Sequence, residues 1–334
     1  MNLTALSITI LMTAGFAYAL YVYFKPAVKK VKQVQAGKME KASKTSSSPS
    51  RSLSLSPEDS PSRLTSSSQL TGAAGKKGKP FTMRPAIFEM QGRRRTMEDT
   101  HNVIVDLGER ESSALPDKFS LFGVYDGHGG SAAAEFVSEN LPKYVAKRIL
   151  NGEKPETALS ESIIQLEADF LEMARERSME DGTTLVAVLV TDGRMIVANL
   201  GDSEAILCRG GNAEVLSTVH TPAKNEKEVA RVKADGGKVV RGRVGHPNFN
   251  EQYFNLAVSR AIGDMMYKHD EFTNGKKSGV IAIPEVRQEL VSDDDSFLVL
   301  ACDGVWDVLS YEVWYFIHAC TIFTRVTADA KKSF

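Results

Sequence analysis

Apolar and polar positions divide the chain into three stretches of different character. Residues Leu3 to Phe24 are almost continuously apolar, with Thr4, Ser7, Thr9 and Thr13 as the main interruptions. About 20 such residues cross a bilayer as a helix, so residues 1–24 are expected to form a transmembrane signal anchor. Lys25, Lys29, Lys30 and Lys32 follow at once and no Lys or Arg precedes the run. The positive-inside tendency then predicts a single-pass membrane protein whose later residues face the cytosol, in either the endoplasmic reticulum or the mitochondrial outer membrane. A cleaved signal peptide is the competing reading, since Ala17-Tyr-Ala19 resembles a small-residue cleavage site. It lacks a basic segment before the run. Residues 25–80 are basic at first, then Ser-rich with Pro49, Pro57 and Pro61. They hold too little apolar surface to order themselves and are expected to be a disordered tether. Ser48, Ser56 and Ser60 each precede a proline, as sites of proline-directed kinases do, although an unmodified linker is the plainer reading.

From Pro85 onward the pattern is that of a folded domain, read as residues 85–334. Short apolar runs between turn residues predict strands over Phe88–Gln91, Asn102–Leu107, Thr183–Val190, Met195–Leu200, Ala205–Cys208, Glu214–Leu216, Phe254–Val258, Val280–Ile283 and Phe297–Ala301. Thr191-Asp-Gly-Arg194 and Arg209-Gly-Gly-Asn212 carry the signature of tight hairpins. Helical spacing runs over Thr157–Arg177, with Leu159, Ile163, Leu166, Phe170 and Met173 on one face. Shorter helices are expected over Asn225–Ala234 and Tyr311–Phe323, and Ser131 reads as the cap of another. Hairpins with helices grouped between them predict an α+β domain of antiparallel sheets covered by helices.

Composition narrows the function only by exclusion. A net charge of -1 gives no reason to expect nucleic acid as a partner. Cys208, Cys302 and Cys320 are far apart and suit a reducing compartment better than a disulfide framework. No phosphate-binding glycine loop follows a strand, which disfavours a nucleotide site. Nothing calls for an oligomer, so a monomer is expected.

The candidate chemistry centres on Phe122-Gly-Val-Tyr-Asp-Gly-His-Gly-Gly130, where an apolar strand delivers Asp126 and His128 to a bare glycine turn. Met97-Glu-Asp99, Leu200-Gly-Asp202, Cys302-Asp-Gly304 and Arg260-Ala-Ile-Gly-Asp264 repeat the theme of an acid beside glycine or at a strand end. Each alone reads as a turn aspartate. Together, and with no Cys or His ligand set, they describe an oxygen-donor site for Mg²⁺ or Mn²⁺.

At these residues the chain resembles the metal-dependent, type 2C protein serine/threonine phosphatases. The resemblance runs from Ile87 to Trp314 through six motifs in the family's order. They are Arg94-Arg-Thr-Met-Glu-Asp99, Val124-Tyr-Asp-Gly-His-Gly-Gly130, Asp181-Gly-Thr-Thr184, Val197-Ala-Asn-Leu-Gly-Asp-Ser203, Leu256-Ala-Val-Ser-Arg-Ala-Ile-Gly-Asp264 and Leu300-Ala-Cys-Asp-Gly-Val-Trp-Asp307. It implies a four-layer sandwich of two antiparallel β-sheets flanked by helices, with two Mg²⁺ or Mn²⁺ ions between the sheets. It also implies phosphoprotein substrates. Asp126 would bridge the ions, the Gly127 carbonyl would join one shell, Asp303 would bind the second ion, and Glu98 and Asp99 would hold metal-bound waters. The water between the ions would attack phosphorus in line. Arg94 would clamp the phosphate with its planar fork, the plainer reading being a surface cation in the Arg93–Arg95 run. His128 would protonate the departing oxygen. Asp202 and Asp264 read as turn residues or outer supports.

The chain departs from the family pattern in three places. The family's closing strand pair carries an Asp-Asn whose Asp binds the second ion, and Thr321–Phe334 holds no such motif. Glu204 stands where Arg commonly follows Gly-Asp-Ser, and Met179 stands where an acidic residue often lies, which puts a third ion in doubt. A membrane-anchored phosphatase is the function expected. The alternative is a catalytically impaired, phosphatase-like protein that binds phosphoproteins or regulates an active relative.

Overall fold

The computed structural model describes residues 19–24 and 83–311. The tether over residues 25–80 lies outside them, as do most of the predicted anchor, the predicted helix beyond Tyr311, and the tail. Strands β1 (Ala19–Phe24), β2 (Met83–Phe88), β3 (Thr100–Ile104) and β4 (Phe119–Tyr125) come first, with the short β5 (Gly127–His128) at the turn after β4. Two long helices, Ala132–Leu150 and Pro155–Arg177, precede β6 (Gly182–Thr183). A meander follows: β7 (Leu185–Thr191), β8 (Arg194–Leu200), β9 (Glu204–Arg209) and β10 (Asn212–Val215). The helix Glu226–Ala234 then leads to β11 (Lys238–Val240), β12 (Arg243–Gly245) and β13 (Asn255–Leu256), which form a small sheet of their own. Finally come β14 (Ile262–Gly263), β15 (Glu285–Leu290) and β16 (Asp295–Ala301).

Two five-stranded antiparallel sheets dominate, ordered β10-β9-β16-β1-β2 and β15-β8-β7-β4-β3. Period-two alternation explains their stacking. Along β4, β7 and β8, Leu121, Tyr125, Leu185, Ala187, Leu189, Ile196 and Ala198 face the two long helices. Their neighbours Phe122, Val124, Val186, Val188, Val190, Met195 and Val197 face the other sheet, where Leu207, Leu298 and Leu300 meet them. The central strands β4, β7 and β8 are therefore buried on both faces and read as nearly continuous apolar runs. Each large side chain so buried contributes about 1.5–3 kcal/mol. On the far face of the second sheet, Phe297, Val299 and Ala301 pack with Val305, Trp306 and Leu309.

The hairpin readings hold. Asp192 and Gly193 turn β7 into β8 with φ of 35° and 77°, and Gly210 and Gly211 turn β9 into β10 with φ of 56° and 81°. Other expectations are corrected. Ala19–Phe24, read as the end of a transmembrane helix, is a strand paired antiparallel with β16 on one side and β2 on the other. Its Tyr21-Val-Tyr-Phe24 sequence favours extended backbone. No helix among the described residues is long and apolar enough to cross a membrane. Val280–Ile283 makes no strand. Ile281 instead forms a single bridge to Arg260, its N–H donating to the Ser259 carbonyl and its carbonyl accepting from the Ala261 N–H. The β15 strand was not anticipated, because Glu285-Val-Arg-Gln-Glu-Leu290 is polar and lies at a sheet edge, where few apolar positions are needed.

Candidate active site

The buried strand β4 ends one residue before Asp126, and β16 of the other sheet ends two residues before Asp303. The loop after β2 supplies Arg94, Glu98 and Asp99. Six of the residues singled out from the sequence, Arg94, Glu98, Asp99, Asp126, Gly127 and Asp303, line one cleft of about 60 Å³ at the junction of the two sheets. The loop is held by a turn in which Gln91 Nε2 donates to the Arg94 carbonyl at 2.9 Å. Gly127 is required by close approach, since a Cβ there would strike the Glu98 carbonyl.

Electrostatics define the cleft. Burial drives the Asp126 carboxyl well above the usual range, and the charges of Asp99, Asp303 and Asp202 add to the effect. Asp99 and Asp303 are raised as well, chiefly by burial. Arg94, which lines the same cleft, acts in the opposite direction on both. Asp202 is pushed up to about 6 by burial and by Asp303. It is more than a turn residue, because its charge also acts on Asp126 and His128.

Three partners escaped sequence reasoning. The Cys302 thiol donates to Asp99 Oδ2 at 3.4 Å, and its sulfur lies within 4.8 Å of carboxylate oxygens of Asp126 and Asp303. Burial pushes the thiol far up, so it serves as a neutral donor. Only its place beside Asp303 in the sequence hinted at this. His128 does not line the cleft; its Nε2 pairs with Asp264 at 2.9 Å. Burial alone would lower the pKa of His128, but the Asp264 carboxylate more than offsets it, and the imidazole titrates above its ordinary value. Gly182 leaves room for this pair, as a side chain there would fall on both groups. Finally, Ser131 makes no side-chain cap. Asp181 caps that helix instead, its Oδ2 accepting from the Ala132 N–H at 2.9 Å.

Carboxylates this crowded either share protons or hold a cation. The donors are oxygens, the set suits a hard divalent ion, and the soft thiol is already engaged as a hydrogen-bond donor. The residues therefore fit Mg²⁺ or Mn²⁺.

Comparison with known proteins agrees with this geometry. Residues 83–321 match the family model of protein phosphatase 2C. Protein phosphatase 2C homolog 2 of Aspergillus fumigatus is 41% identical over 232 residues, covering 67% of this chain and 52% of that protein. Protein phosphatase 2C homolog 3 of Schizosaccharomyces pombe is 39% identical over 223 residues, covering 66% of this chain and 50% of that protein. The chain thus spans about half the length of these curated relatives. Among solved structures, the serine-threonine phosphatase 2C of Toxoplasma gondii shares the fold with a TM-score of 0.53 at 23% identity, over 66% of this chain and 77% of that one. On the match across residues 83–321 and the identity to these relatives, the chain belongs to the protein phosphatase 2C family.

Proposed function

We propose that this chain hydrolyses phosphoserine and phosphothreonine in proteins, at the cleft where β4 and β16 end. The observation that carries this reading is the convergence of Arg94, Asp99, Asp126 and Asp303 on one cleft, with carboxylate oxygens of Asp126 and Asp303 within 4.8 Å of each other. We assign Asp126, the Gly127 carbonyl and Asp303 to hold Mg²⁺ or Mn²⁺, with Glu98 and Asp99 acting through water. A divalent ion held there supplies positive charge to the phosphoryl group and acidifies water.

The chain's own residues then have distinct tasks. Arg94 receives two phosphate oxygens in its fork and fixes the phosphorus in the cleft mouth. Asp264 engages Nε2 of His128 and keeps the ring protonated, which leaves Nδ1 to give a proton to the departing seryl or threonyl oxygen. Gly127 and Gly130 let this turn pack directly on the Glu98 carbonyl and the Asp181 carboxylate, which fixes Asp126 and His128 in place. The apolar residues ahead of β1 and the lysines that follow it, Lys25, Lys29, Lys30 and Lys32, support placing this activity near a membrane.

The test is phosphate release from a phosphothreonine peptide by the full chain with Mn²⁺. Turnover is expected with Mn²⁺ and is expected to vanish with EDTA or in Asp126→Ala. Undiminished turnover in either case overturns the proposal.

A further inference from the structure

We propose that Glu167 and Lys268 are positioning residues for His128. From the helix Pro155–Arg177, Glu167 holds the turn that carries Asp264, and through Asp264 it sets where the His128 ring lies. Neither Glu167 nor Lys268 lines the cleft. The effect on turnover rests on the phosphatase reading above; the placing of the ring does not.

The His128–Asp264 pair is mounted on a slight support. It straddles the sheet β14-β6-β5, in which His128 faces Gly182 from one side and Gly263, next to Asp264, faces it from the other. Each of these strands is two residues long. Strands so short make few ladder hydrogen bonds and depend on what packs against them. Asp264 itself lies in the left-handed region, a conformation that its neighbours have to hold.

Glu167 supplies that hold. One of its carboxylate oxygens accepts from the Gly263 N–H at 2.8 Å, and the other accepts from Lys268 Nζ at 2.7 Å. Lys268 Nζ also donates to the Ala261 carbonyl at 2.7 Å. These bonds bracket Ala261–Gly263 from both ends, and Asp264 follows at once, its N–H donating to the Asp181 carbonyl at 3.0 Å. The side chains of Glu167 and Lys268 are only 14% and 8% exposed. Burying an ion pair costs free energy that its attraction only partly returns. Cover for the sheet alone needs no such pair, since the same helix already brings Leu166 and Phe170 to the core cluster that holds Ile262 and Met265. Apolar packing sets the spacing of helix and sheet but leaves the rotation of a turn loosely fixed. Charge-assisted hydrogen bonds have direction, and a carboxylate that spans a backbone N–H and an ammonium fixes that rotation.

The experiment compares kcat and KM of the full chain with Mn²⁺ on a phosphothreonine peptide and on p-nitrophenyl phosphate. Alongside, nitrogen-15 shifts of the His128 ring are read at one fixed pH, assigned by their loss in His128→Gln. Glu167→Gln keeps the shape of the side chain and discards its charge. On the peptide it should lower kcat by about tenfold or more, with KM changed by less than about twofold. On p-nitrophenyl phosphate it should lower kcat by less than about threefold, because that leaving group departs without a proton. The His128 ring signals should move or broaden. Lys268→Met frees the Ala261 carbonyl and should give the same split; it decides the matter if Glu167→Gln does not fold. An unchanged kcat on the peptide, equal losses on the two esters, an unmoved His128 ring, or failure of both variants to fold would each show a purely structural pair and overturn the proposal. If the wild type hydrolyses neither ester, the phosphatase reading falls and the ring signals decide alone: displaced by Glu167→Gln they uphold the positioning, and unmoved they overturn it.

Discussion

Asp264 holds a backbone φ of 55°, a left-handed conformation that few residues other than glycine and Asn/Asp adopt, and its buried carboxylate faces His128. The sequence shows that an acid follows glycine there. It does not show the partner, 136 residues away, because no local spacing encodes a contact between two distant turns. The pair makes a definite kinetic prediction. A general acid must be protonated, so activity falls as pH rises through the pKa of His128, which Asp264 holds above the ordinary histidine value. Asp264→Asn should move the alkaline limb of the kcat/KM profile to lower pH, and an unmoved limb would rule out this role. His128→Gln should cost roughly 10²–10³-fold on a phosphothreonine peptide. It should cost far less on p-nitrophenyl phosphate, whose leaving group departs without a proton. The acidic residues of the cleft were more legible than this pair, since acid-glycine motifs at strand ends recur in one chain. Cys302 was not, because a lone buried thiol carries no spacing signal.

Among elements, the strands and hairpins buried on both faces could be read from sequence because their apolar runs are long and their turns carry glycine. Attachments made by polar contacts could not. The region after β10 shows why: the helix Glu226–Ala234 was legible as a helix, but it contributes only Glu228 and Val232 to buried positions, and what holds it was not. Its attachment runs through Glu228, which accepts from Arg260, Arg231 and Ser259. Burial alone would raise the Glu228 pKa, yet these donors depress it strongly. A depressed carboxylate contributes stability that is present above its unfolded pKa, near 4.5, and is lost as pH falls below it. Glu228→Gln leaves Arg231 and Arg260 without their shared charge and should destabilise by about 3 kcal/mol, toward the low end for a broken buried pair. Limited proteolysis should then cut first within residues 235–283 while β4, β7 and β8 remain intact. Cleavage no faster than in the wild type would show that the Val232, Val244, Tyr267 and Val280 cluster suffices.

For the whole molecule, the acidic cleft sits where the two sheets meet, so its charge bears on how firmly they are joined. Asp99 immediately precedes β3 and Asp126 immediately follows β4 of one sheet, while Asp303 follows β16 of the other. All three bind protons more tightly in the native protein than in the unfolded chain. A carboxyl with a raised native pKa loses stability as pH rises through that value. The metal-free protein is therefore penalised across a window that opens near pH 4 and includes the Asp202 value of about 6. His220, which burial pulls down to about 4, acts with the opposite sign, so the clean comparison is between variants rather than between pH values. Asp126→Asn removes the central charge. It should raise the melting temperature in EDTA by about 2–4 °C at pH 7.5, the shift of about 1 kcal/mol in a domain of this size, and by less at pH 5. Mn²⁺ at a hundredfold excess over its Kd should stabilise the wild type by about 2.7 kcal/mol, and this gain should disappear in Asp126→Asn. Equal Mn²⁺ stabilisation of both proteins would mean that the ion binds elsewhere. If instead the variant alone gains stability in EDTA and loses the response to Mn²⁺, the electrostatic cost at the sheet junction belongs to the site that the ion occupies.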